Sequence, residues 1–174
     1  MDSLIPFLKV GMPYEYIVAV IVVLMVGCLC LRKGNKSKVW YCVLFLMAYF
    51  ALVLGKTVIF RKAGAVEEAN TYPFWSYVEG FTKRRYVLVQ NLLNIILFLP
   101  FGFCFGCVFK SRRLLKVTLF SGALSVIIEM LQLIFEKGLF EFDDIFHNTI
   151  GGILGLLFLS GIRKLFDTRL ALHE

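Results

Sequence analysis

Apolar residues in this chain run in blocks and do not alternate. Five blocks stand out, over residues 14–31, 39–60, 89–109, 114–135 and 149–162. Blocks of this kind predict α-helices, and a helix needs about 17–25 apolar residues to cross the hydrocarbon core of a bilayer. The fifth block is short by that rule. It reaches the length only if its helix starts upstream near Asp144, as a span over 144–162, which puts Asp144, His147 and Asn148 on the helix itself. The pattern predicts an all-α protein, a polytopic transmembrane helical bundle of about five spans, as one domain over residues 1–174. Only 61–88 reads as irregular, and its Asn70-Thr-Tyr-Pro73-Phe74-Trp75 stretch is aromatic enough to lie at a membrane surface.

Composition agrees. Hydrophobic residues make up 59% of the chain and charged residues 18%, which points away from a water-soluble globule. The start, Met-Asp-Ser-Leu-Ile-Pro, lacks a basic n-region, and no small-x-small cleavage site follows the first block. That block is expected to stay as an anchor. The five cysteines (Cys28, Cys30, Cys42, Cys104 and Cys107) all fall in apolar blocks. They read as small hydrophobes and not as a disulfide framework. Neither histidine has ligand-like spacing to them, so no metal site and no cofactor is expected.

Charge sets the expected orientation. Arg32-Lys-Gly-Asn-Lys-Ser-Lys38 holds four basic residues in seven, Lys110, Arg112 and Arg113 follow the third block, and Arg163, Lys164 and Arg169 follow the fifth. The positive-inside rule puts these three segments in the cytoplasm, with the N-terminus out and the C-terminus in. Against this, the outward 61–88 segment carries Arg61, Lys62, Lys83, Arg84 and Arg85 beside Glu67, Glu68 and Glu79. The net charge of +7 therefore reads as a topology signal and as contact with anionic lipid. The basic residues form no stripe, so nucleic acid is not an expected partner.

Two further patterns concern packing. Gly102-Phe-Cys-Phe-Gly106 and Gly151-Gly-Ile-Leu-Gly155 are small-xxx-small repeats that let helices approach closely. Pro100 lies inside the third block, where it removes a backbone donor and is expected to kink the helix.

Chemistry is sought at the polar residues, because a carboxylate at bilayer depth costs several kcal/mol unless protonated, paired or hydrated. Glu129 and Gln132 share a helix face, as do Asp143 with His147 and Asp144 with Asn148. At about 1.5 Å rise per residue, Arg61, Asn91, Asn94, Glu129, Gln132, Asp143, Asp144, His147 and Asn148 all fall in the outward third of one bundle. They are the candidate binding residues, and Glu129 and Asp144 are the candidate acid and base. Plainer readings stand beside these. Glu129 and Gln132 suit an interhelical clamp, Asp144 a helix N-cap, Asn94 and Asn148 bridges between helices, and Arg61 and His147 interfacial positions.

The order of motifs resembles the VanZ-like family of membrane proteins. The likeness runs through Arg61, Asn70-x-x-Pro73-Phe74, Asn94-Ile-Ile-Leu-Phe98-Leu-Pro100-Phe-Gly102-Phe, Glu129-x-x-Gln132 and Asp143-Asp144-x-x-x-Asn148-Thr-x-Gly151. One position departs: where the family usually carries an Arg, about six residues before the acidic Asp, this chain has Gly138 after Lys137. The acidic pair is then expected to take its cation from Arg61, Lys137 or Lys83-Arg84-Arg85. The resemblance implies a multi-pass protein of the bacterial cytoplasmic membrane, linked to resistance against teicoplanin, a lipid-tailed glycopeptide. It supplies no mechanism. Three classes stay open: a non-enzymatic factor binding a lipoglycopeptide or a lipid-linked cell-wall precursor, an intramembrane enzyme using Glu129 and Asp144, and a small proton-coupled transporter or flippase. With no recognisable nucleophile, the first is preferred. Membrane lipids are the other expected partners, and the oligomeric state is left open.

Overall fold

A computed structural model describes residues 38–59, 72–109, 111–138 and 140–171. The described chain is all helical. Helix α1 (Lys38–Leu54) runs into a π-helical turn (Gly55–Ile59), followed by the short α2 (Trp75–Thr82), α3 (Tyr86–Val108), α4 (Arg113–Ile134) and α5 (Phe142–Ala171). Three segments, Tyr86–Val108, Arg113–Ile134 and Phe142–Leu165, are long and apolar enough to cross a membrane, and Trp40–Leu54 is a shorter apolar stretch. The expected first span over 14–31, Arg61 and Asn70 lie outside the described residues. Two boundaries differ from the sequence reading. Part of the supposedly irregular 61–88 segment is the helix α2, and α5 begins at Phe142, so that Asp143 and Asp144 occupy its first turn.

Contacts at named positions give the topology. Gly151 of α5 faces the Ile95 carbonyl of α3, Gly155 faces that of Leu99, and Gly106 faces Leu156 and Leu159. The numbering rises together on both helices, so α3 and α5 are parallel. Helix α4 runs the other way: Gly122 faces Thr149, while Ser121 faces Gly152 one turn further along α5. Helix α1 is antiparallel to α3, with Tyr49 packed on Phe98 and Phe101 and Cys42 on Phe103 and Cys104. The starts of α3 and α5 and the ends of α1 and α4 therefore meet at one end of the bundle.

Packing without side chains defines the α3–α5 seam. A Cβ on Gly102 would collide with the carbonyl of Gly152, and one on Gly151 or Gly155 with a carbonyl of α3. Such backbone-to-backbone approach raises dispersion contact where lipid provides no hydrophobic drive. Away from the seam the core is aromatic. Tyr49 stacks on Phe45 at 5.5 Å and tilts against Phe101 at 5.1 Å between ring centroids. Helix α3 is continuous through Pro100. One residue from the carbonyl that Pro100 leaves without its helical donor, that of Ile96, the Tyr49 hydroxyl donates to the Leu97 carbonyl at 2.9 Å. Cys42 and Cys104 are buried and Cys107 is half-buried.

The seam is testable by one methyl group. Gly102→Ala is expected to cost about 1–3 kcal/mol through overpacking. Gly161→Ala, where nothing lies within 4 Å of the added carbon, is expected to be neutral or to gain up to about 1 kcal/mol of helix propensity. Thermal unfolding in detergent measures both, and equal effects would show that the seam does not depend on glycine.

Candidate functional site

Helix α5 starts with buried polarity. Asp143 is 0% exposed and His147, one turn on, is 1% exposed, and both face α2. The α2 N-terminus needs an acceptor. Its N-cap residue is Phe74, whose backbone is left-handed (φ 64°) and whose side chain offers no cap. Asp143 supplies the cap from another helix. One carboxylate oxygen accepts from the Phe74 N–H at 2.5 Å. The other accepts from the Ser76 N–H at 2.9 Å and the Ser76 hydroxyl at 2.5 Å. Helix N-termini carry unsatisfied N–H groups and partial positive charge, and both favour a carboxylate there. The same bonds hold Phe74 in a conformation that a bulky residue adopts only under constraint. Asn91 of α3 completes the cluster, its amide donating to the Ser76 hydroxyl oxygen at 2.9 Å.

Beside it, the Tyr77 hydroxyl and His147 Nε2 are hydrogen-bonded at 2.8 Å. Phe146 packs edge-on against Phe74 at 5.3 Å. Helix α2 thus lies across the end of the bundle, held through Ser76, Tyr77 and Phe74.

A second polar row runs between α4 and α5. The buried positions of α4 are Val117, Ser121, Ser125, Ile128, Glu129 and Gln132, one stripe at helical spacing. Asn148 donates its amide to the Ser125 hydroxyl oxygen at 2.8 Å. Glu129, 2% exposed, accepts the Glu141 N–H at 3.0 Å through Oε2. The turn that brings Glu141 there is built by the end of α4. Glu136 is left-handed (φ 53°), Lys137 N–H bonds the Gln132 carbonyl at 2.8 Å and Glu136 N–H that of Leu133 at 3.2 Å. These two bonds make a Schellman cap, with Glu where glycine is usual. Among the described residues, the Asn148 Oδ1, His147 Nδ1, Ser121 hydroxyl and Trp75 indole N–H are buried without a hydrogen-bond partner.

The structure divides the candidates into two groups. Asp143, His147 and Asn91 meet at α2, while Glu129, Gln132 and Asn148 line the α4–α5 row. Asp144 and Asn94 are half-buried, and the Asn94 side chain makes no hydrogen bond among the described residues. Asp143 is met by neutral donors and makes no ion pair among the described residues, while Arg61, the cation expected for the acidic pair, falls outside them. Lys137 contributes its backbone N–H to the α4 cap. The reason is geometric: a helix N-terminus offers several convergent N–H groups without the desolvation cost of a second charge. Ser76, Tyr77 and Ser125 escaped the sequence reading. Ser121, Ser125, Glu129 and Gln132 at spacings of four, four and three carried a usable signal. For Ser76 and Tyr77, inside an aromatic segment, no comparable signal exists. Among the described residues no three His, Cys, Asp or Glu side chains are grouped to hold a metal ion.

The Asp143 cap predicts a coupled loss. Asp143→Ala strands three donors and is expected to cost about 3 kcal/mol, since bonds to a charged group are worth about 1.5–3 kcal/mol each and losses in one cluster overlap. Ser76→Ala is expected to cost about 1–3 kcal/mol, and the double variant less than the sum. Denaturation and amide hydrogen exchange at residues 74–77 measure this. Additive losses with unchanged exchange would mean that Asp143 does not hold α2.

A sequence profile of the VanZ/LLP1 family matches residues 16–164. Protein VanZ of Enterococcus faecium is 40% identical over 63 residues, covering 36% of this chain and 39% of that protein. No solved structure matches. With the profile spanning most of the helical bundle and its polar end, the chain belongs to the VanZ/LLP1 family.

Proposed function

We propose that this protein is a multi-pass component of the bacterial cytoplasmic membrane that contributes to resistance against lipid-tailed glycopeptides of the teicoplanin type. It does so by holding a lipid-tailed ligand or lipid-linked cell-wall precursor at the polar end of the bundle. The observation that carries the reading is the gathering of buried polar side chains at one end, Asp143, His147 and Asn91 beneath the eight-residue α2 and Glu129, Gln132 and Asn148 between α4 and α5. Polar groups are expensive at that depth, and concentrating them at one end suits an amphiphile whose head is polar and whose tail is apolar. Family membership and the partial likeness to Protein VanZ favour the resistance role. Asn148 Oδ1 and His147 Nδ1, buried without partners among the described residues, are the acceptors and donors on offer to such a head group.

A second reading, acid–base chemistry on a lipid-linked substrate, draws on the buried Glu129 and the Tyr77–His147 hydrogen bond. One residue separates the two. In a susceptible Gram-positive host, expression is expected to raise the inhibitory concentration of teicoplanin more than that of a glycopeptide without a lipid tail. Asn148→Ala is expected to erase most of that difference. Glu129→Gln keeps size and hydrogen bonding, so it is expected to retain protection if the role is binding. Full loss of protection at equal membrane abundance would favour acid–base chemistry, and equal protection against both antibiotics would remove the tail-binding reading.

The orientation belongs to the same proposal. The basic segments 32–38 and 110–116 and the region after Ile162 assign the polar end to the outer face under the positive-inside rule. A C-terminal alkaline phosphatase fusion is expected to be inactive and a C-terminal fluorescent protein bright. The opposite pair would put the polar end in the cytoplasm.

A further inference from the structure

The α2 helix has two faces with different demands. Ser76 and Gly80 are buried and turn toward the bundle. Val78 and Phe81 turn away from it and are 67% and 76% exposed, and Phe74 at the N-cap, with its ring against Phe146 of α5, is still 48% exposed. On the same face, Thr82 is exposed but spends its hydroxyl on the Val78 carbonyl, so the stripe is mainly apolar. Directly after it come Lys83, Arg84 and Arg85, all exposed. Lys83 and Arg84 share one acid, Glu79, at 3.6 and 3.3 Å. Arg85 has no ion pair among the described residues. Three basic residues against one acid leave a local charge of +2 over residues 79–85.

Position decides what this surface meets. Helix α2 lies where α3 and α5 begin and α4 ends, the level at which apolar spans leave the hydrocarbon core. The trans cap from Asp143 to Phe74 and Ser76 fixes which face points outward. An apolar stripe that ends in a basic cluster at that level is complementary to an acyl chain beneath a phosphate. It also accounts for basic residues at the end that the other loops assign to the outside, where the positive-inside rule disfavours them.

We propose that α2 and the turn after it form a binding surface for an anionic phospholipid. The acyl chain lies along Phe74, Val78 and Phe81, and the phosphate sits on Arg85 with Lys83 and Arg84 beside it. This goes beyond the glycopeptide reading and does not depend on it. It depends only on the bundle spanning a bilayer.

The chain has two tryptophans, Trp40 and Trp75, and Trp75 opens α2. In the full-length Trp40→Phe protein, Trp75 fluorescence reports lipid at α2 alone. Brominated phosphatidylglycerol is titrated into nanodiscs of phosphatidylcholine, and brominated phosphatidylcholine serves as the matched control. Half-maximal quenching is expected at a mole fraction about tenfold lower for the anionic lipid, in line with a net +2 cluster near a membrane surface. Lys83→Gln/Arg84→Gln/Arg85→Gln is expected to abolish that preference while leaving quenching by brominated phosphatidylcholine unchanged, which also shows that α2 stays in place. Should the triple variant fail to fold, Arg85→Gln alone is expected to lose most of the preference. Equal quenching by the two lipids in the Trp40→Phe protein, or a preference that survives loss of the basic residues, would overturn the proposal.

Discussion

With Gly151 and Gly155 against the carbonyl oxygens of Ile95 and Leu99, and Gly152 against Gly102, α5 has little freedom to rotate or slide on α3. Closely packed backbones are not continuously deformable. Fixing that face fixes the others. One side of α5 then carries Asn148 and Gly152 to Ser125 and Ser121 of α4. Its first turn presents Asp143, with His147 a turn later, to α2. The polar contacts of Asp143, His147 and Asn148 are thus made by residues whose direction the glycine seam sets.

The second constraint is hydrogen-bond satisfaction in a low-dielectric setting. A buried charge left unpaired is strongly destabilising, and an opposing charge brings its own desolvation cost. Asp143 takes a third route, with two backbone N–H groups and one hydroxyl, none of them charged. Helix α2, eight residues long, is too short to be stable alone. Its placement comes from that external cap, from Tyr77 on His147, and from Gly80 lying close to Leu88 of α3. Phe74 keeps its left-handed backbone because these contacts over-determine it.

The helices were legible because long apolar blocks have few other solutions, and the glycine repeats showed where two of them meet. The end of the bundle that gathers polarity was legible too, from helical rise and the positions of Asn91, Glu129 and Asn148. What resisted reading was pairing. Asp143 and Asp144 look alike in sequence, and only the start of α5 at Phe142 decides that the first is fully buried while the second is half-buried. Helix α2 has no apolar period long enough to stand out from an aromatic loop. The acceptor role of Asp143 was hidden too, since sequence does not show that another helix's N-terminus will arrive to meet it.

These assignments divide labour among the acidic residues. Asp143 gives both oxygens to holding α2, and a group so committed is poorly suited to exchange protons with a substrate. Acid–base chemistry, where it occurs, falls to Glu129 or to the Tyr77–His147 pair, on opposite sides of α5's first turns. Those two positions have different neighbours, one the α4 cap and the other the α2 helix. No single hydrogen bond among the described residues joins them. Chemistry that used both would need them poised on one reacting atom. The two groups flank the same end of the bundle, which suits the binding role proposed above without requiring them to act together.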